Sequence, residues 1–227
     1  MIEKEEKKAL VVNSLKKLKV EPSKPRKEIE EFGEKAKKSL IDNGIYTSNG
    51  EVFIAKVSIP SLLATDSKGA NIVYTNQENK DKFVDGKNKY ISLPAMQKEI
   101  STRIQQPRDT IQKERLKYSE ELIKNVRDAE ELEKIRELEE SRIRKELSSK
   151  KKAKLKKEEV DDITKEKLIN PDVHHKIRVA DDPTKALDED NLVALNRDTH
   201  KDVHRNNADT PESYEKYKQT RQQGQNE

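Results

Sequence analysis

Val173–Arg205 reads VHHKIRVADDPTKALDEDNLVALNRDTHKDVHR. The chain has four histidines, His174, His175, His200 and His204, and all of them fall inside this stretch. Imidazole is the side chain best suited to bind a metal or move a proton near neutral pH. The stretch is therefore read first as a site. Pro171–Ile177 is a short strand candidate, and Asp181-Asp182-Pro183 signals a turn. Asn191–Leu195 is a second short apolar strand, entered after the acidic run Asp188-Glu189-Asp190. Asn196 is expected to cap a following helix with its side chain, and Asp198 suits the positive end of the helix dipole. His200 and His204 are four residues apart, which places both rings on one helical face. Neighbours on a regular strand point to opposite sides, so His174 and His175 should divide between two roles.

The order strand, loop, strand, helix, with His-His on the first strand, Asn191 in the hairpin and HxxxH on the helix, resembles the HNH, or ββα-metal, nuclease family. The resemblance covers roughly the last quarter of the chain. ALDEDNLVAL is similar to the hairpin of phage and restriction-type members, which usually continue into a Cys-x-x-Cys-His segment. Asn196 and Thr199 stand at those two cysteine places, and the chain has no cysteine, which excludes a four-cysteine zinc knuckle. The cysteine-free pattern, followed by Arg205, looks more like the nuclease domains of colicin-type toxins. The resemblance implies that His174, His200 and His204 hold one divalent ion, with zinc, nickel, magnesium and manganese as candidates. It implies that His175 is the general base, and that Asn191 hydrogen-bonds backbone across the loop and holds His175 in place. The implied reaction is hydrolysis of phosphodiester bonds, with DNA as the expected substrate.

The rest of the chain bounds this reading. Of 227 residues, 41% are charged and only 31% belong to the apolar set, too polar for one large core. Long solvated helices joining small domains suit that balance. The net charge of +4 is near neutrality, so local runs matter more than the average. No apolar run approaches the ~20 residues that span a membrane. Met1–Glu6 is too acidic and polar for a signal peptide. The expected location is the cytoplasm, with a secreted toxin as the alternative.

The expected class is α+β in four segments. Residues 1–24 read as an N-terminal helix, with Val11, Leu15 and Leu18 on one face. Residues 25–100 read as a small α+β module. It opens with a helix carrying Ile29, Phe32, Ala36 and Leu40, and the hairpin signal Asn49-Gly50 follows. Val57 and Ile59 are expected to prolong the hairpin's second strand, and Asn71–Thr75 and Lys89–Leu93 to form two more. Residues 101–159 read as a long charged helix free of Gly and Pro after Pro107. Its stripe of Leu122, Val126, Ala129, Leu132, Ile135 and Leu138 suits a coiled coil or a solvated connector. Residues 160–227 read as the HNH-like domain, expected to end in a short helix capped by Thr210.

Just before that domain lies a basic run that includes Lys150, Lys151, Lys152, Lys154, Lys156 and Lys157. Together with Arg205 it is expected to hold nucleic-acid phosphates through counterion release. The N-terminal module or the long helix is expected to dock a protein partner, and no membrane is expected. Two other readings remain open at this point. One is a non-enzymatic interaction protein with a degenerate HNH-like end, and the other is a colicin-like toxin.

Overall fold

The computed structural model describes residues 11–223 and is mixed α+β, with two compact units that divide after Leu138.

The first unit is built on a five-stranded antiparallel sheet. Strand β1 (Val12–Ser14) leads through a 3-10 turn to helix α1 (Glu30–Asn43). Strands β2 (Ile45–Thr47) and β3 (Val52–Ala55) form the hairpin expected at Asn49-Gly50, where Gly50 takes the left-handed conformation at φ +80°. Helices α2 (Ile59–Leu63) and α3 (Ser67–Asn76) follow, then the hairpin of β4 (Lys82–Asp85) and β5 (Asn88–Ser92), then α4 (Leu93–Gln105) and α5 (Thr110–Arg127). The strand order is β1-β2-β3-β5-β4. Successive residues alternate between the two faces. Val52, Ile54 and Ile91 join the main core with α1, α2, α4 and α5, whereas Phe53, Ala55 and Tyr90 join Ile45 on the other face.

Several expectations change here. Residues 1–10 lie outside the described residues, and Val12–Ser14 is an edge strand on β2 rather than helix. Leu15 and Leu18 are still buried, because a 3-10 turn also returns to one side after three residues. Val57 and Ile59 do not prolong β3; the chain turns into a 3-10 segment and α2, with Pro60 in its first turn. Asn71–Thr75 is helical, not a strand. Asp66 caps α3 by accepting from Gly69 N at 2.7 Å, and Ala70 and Val73 face the core three residues apart. The β-branched residues there suggested a strand, and the cap and tertiary packing outweigh them. β4 was not anticipated.

The long charged segment is two helices. Asp128 ends α5, and α6 (Glu130–Lys157) begins two residues later. Leu122, Val126, Ala129 and Leu132 are buried in the first unit's own core, Ile135 packs against it, and Leu138 is 72% exposed. Beyond Leu138 the helix is laced by Arg142 to Glu139 and Glu146 and by Arg144 to Glu140.

The second unit holds the antiparallel pair β6 (Pro171–His175) and β7 (Leu192–Asn196), then α7 (Arg197–Arg205) and α8 (Pro211–Gln223). Thr210 caps α8 as expected by accepting from Ser213 N, and Ser213 Oγ in turn accepts from Thr210 N. The core is small: Ile163, Val193, Leu195, Val203, Ala208 and Tyr214. Asp161, fully buried, ties the preceding loop to β7 by accepting from Ile163 N, Thr164 N and Asn196 N. Asn196 stands at the N-cap of α7, but its side chain does not cap the helix. It accepts from Ile169 N and donates to Lys167 O instead, because that loop runs alongside.

Candidate metal centre

In the β6–β7 register His174 stands opposite Val193 and His175 opposite Leu192. The two neighbours separate as alternation requires. His174 is 2% exposed, and its ring lies 5.1 Å, centre to centre, from each of the His200 and His204 rings. One nitrogen from each of these three histidines lies within 4.8 Å of the others, a group that could hold a metal ion.

The helix rings are oriented by carboxylates. His200 Nδ1 donates to Asp172 Oδ2 at 3.3 Å, and His204 Nδ1 donates to Asp209 Oδ1 at 3.0 Å. With both Nδ1 atoms committed, both Nε2 atoms carry lone pairs, and these two atoms sit 3.1 Å apart. Two facing lone pairs repel unless a proton or a metal ion lies between them. Zinc–nitrogen bonds of ~2.0–2.1 Å in a tetrahedral site put two ligand atoms about 3.3 Å apart, close to what is seen. His174 Nε2 is buried with no hydrogen-bond partner. A buried imidazole nitrogen left unsatisfied costs free energy, and a bound cation would remove that cost. The donor set therefore fits a divalent ion.

Asp209 reaches His204 through a helix ending of the Schellman type. Asn207 N bonds His204 O, Ala208 N bonds Val203 O, and Asn207 takes φ +50°. Ala208 and Val203 close the motif in the small core, and Asp209 is the next residue. Behind His174, the Tyr214 ring stacks at 5.7 Å and 17°. Its hydroxyl donates to Asp162, which also accepts from Lys218 Nζ at 2.8 Å.

His175 stands apart from the trio. Its Nε2 lies 3.2 Å from Ala186 O, so it donates there, and Nδ1 keeps the lone pair. Asn191, 5% exposed, holds the loop that supplies this carbonyl. It accepts from Ile177 N at 2.7 Å and donates to Ile177 O and Lys185 O at 3.0 and 2.9 Å. The hydrogen bonding across the loop expected of Asn191 is present.

The electrostatics favour the neutral form of His174, His175 and His200. Burial holds His174 down to about 4 from the ordinary 6.5, and the neighbouring imidazoles add to it. Burial also lowers His175, against the pull of the Ala186 bond, with the Lys151 ammonium adding to the decrease. Burial lowers His200, with Asp172 opposing.

The basic run divides. Lys150 donates to Leu187 O at 2.9 Å, and Lys154 pairs with Glu158. Lys151 is half-buried and acts electrostatically on both His175 and His200. Lys152, Lys156 and Lys157 are exposed, with no acidic partner among the described residues. Arg205 pairs with Asp202 at 3.1 Å and stays outward.

No family model, curated protein or solved structure matches this chain. The site rests on its own geometry. Reading the sequence missed Asp172 and Asp209, although each is a recoverable signal: an acid two residues before the first histidine and one five after the last. It also missed Asp161, one of whose backbone partners, Asn196 N, is far away in sequence.

Among the described residues, no helix is long and apolar enough to cross a membrane.

Proposed function

We propose that residues 139–227 form a metal-dependent endonuclease of the HNH type that hydrolyses phosphodiester bonds in DNA. The observation that carries the reading is the pairing of a three-imidazole group with a fourth, separate imidazole. That fourth ring, His175, has its tautomer fixed by a backbone carbonyl. His175 Nδ1 is free to take a proton from water, and its lowered pKa keeps it unprotonated at neutral pH. Asn191 is a positioning residue: it fixes the loop whose carbonyl orients His175. Asp172 and Asp209 aim the helix imidazoles. Lys151 brings positive charge to the same region and suits a phosphate. A bound divalent ion would supply Lewis-acid stabilisation of charge on the phosphate and the departing 3′ oxygen. An all-nitrogen donor set favours zinc or nickel over magnesium, which prefers oxygen.

The test is nicking of supercoiled plasmid by the full chain with zinc, nickel, manganese or magnesium, and with chelator. Metal-dependent relaxation that His175→Ala abolishes is expected. Cleavage of RNA alone would move the substrate, and no cleavage with any ion would overturn the reading.

A further inference from the structure

The N-terminal unit carries an unassigned concentration of positive charge. Lys56, in the 3-10 segment after β3, Lys82 on β4 and Lys89 on β5 gather around one ring, that of Tyr74 on α3. Their ammonium nitrogens lie 5.2, 5.5 and 6.0 Å from its centre. No two of these charges can then be farther apart than about 11.5 Å, a little over the Debye length of ~10 Å at 0.1 M salt. They repel one another, and salt screens that repulsion only in part. None has an acidic partner among the described residues, although the chain as a whole pairs its charges freely. The Tyr74 ring offsets part of the repulsion through its negative face. An anion would offset the rest.

We propose that Lys56, Lys82 and Lys89, organised by Tyr74, bind the phosphates of a nucleic-acid strand. The inference rests on the reading of the chain as acting on nucleic acid, and it gives the N-terminal module a part in holding the substrate. Tyr74 is a positioning residue, because it acts through the lysines.

The test uses binding without cleavage: the full chain carrying His200→Ala, in chelator, titrated onto short fluorescein-labelled single-stranded DNA and followed by anisotropy over a range of salt. Changing Lys56, Lys82 and Lys89 to Gln is expected to weaken binding at low salt. It should flatten the slope of log K against log salt by about 2, at ~0.7 for each phosphate no longer neutralised. Tyr74→Leu, with an unchanged circular dichroism spectrum, is expected to weaken binding, and Tyr74→Phe to leave it as it was. Polyglutamate at matched charge, and inorganic phosphate, are expected not to displace the strand. An unchanged slope in the triple variant, full binding by folded Tyr74→Leu, or equal displacement by polyglutamate would each overturn the proposal. Lysine-dependent binding by a chain that cleaves nothing with any ion would leave this inference standing and remove the nuclease reading. Cleavage with lysine-independent binding would do the reverse.

Discussion

His200 Nε2 and His204 Nε2 face each other at 3.1 Å while the opposite nitrogen of each ring is taken by a carboxylate. The two rings are thus held in the form that can donate electron pairs to one ion. Removing either carboxylate releases a ring to turn and lowers its basicity. Asp172→Asn and Asp209→Asn are each expected to weaken zinc or nickel affinity by about 10–100-fold, measured by isothermal titration. Unchanged affinity in both would mean that these acids are ordinary surface partners.

His175→Ala should separate chemistry from binding. The ring turns to Ala186 O and lies outside the three-imidazole group. Nicking should be lost while metal affinity stays that of the unchanged chain. A loss of affinity matching that of His200→Ala would make His175 a ligand.

Asn191→Ala leaves one N–H and two carbonyls of the loop without their partner. Each buried unsatisfied group costs ~1–3 kcal/mol, so a clear drop in the melting temperature of the second unit is expected. Nicking should fall as well, with metal affinity largely kept. A stable variant with full activity would show that the loop holds itself.

Acid should act on the metal-free chain through His174. Its folded pKa, about 4, lies below the ordinary 6.5, so the unfolded chain binds the proton more tightly. The folded state is then at full advantage above about pH 6.5 and loses ground as pH falls towards 4. The loss is of order 3 kcal/mol for a shift of this size. Chelator-treated melts across that window should show the decline, and a flat profile would count against a buried neutral His174.

Within the basic run, the lysines differ in kind. Changing Lys151, Lys152, Lys156 and Lys157 to Gln should weaken DNA binding on all sequences and flatten its salt dependence, by ~0.9 for each duplex phosphate no longer neutralised. Lys150→Gln should instead loosen the loop at Leu187, to which it donates. Equal salt slopes before and after the four changes would reduce the run to a solvated helix end.

The second unit was legible because its elements are short and punctuated. Pro171, Asp181-Asp182-Pro183 and Pro211 mark boundaries, and four histidines in 33 positions mark the site. What sequence could not give was the far partner: Asp209 is placed by the helix ending at Asn207, and Asn196 turns from α7 to a loop almost thirty residues upstream. In the first unit, local preference was overruled at Ile72, Val73 and Thr75, where β-branched residues sit in a capped helix. Leu122 to Leu132 looked like a seam for a second chain, and the unit's own core absorbs it. Residue spacing reports that a face is apolar and is silent about what covers it.

Tyr214 backs the most buried ligand candidate, yet it lies ten residues after the last histidine. During synthesis all four imidazoles therefore leave the ribosome before the ring that encloses His174. Until residues 211–223 follow, His174 lacks the aromatic ring that stacks on it. Closure of the centre is then tied to the arrival of a segment that contributes no donor atom of its own.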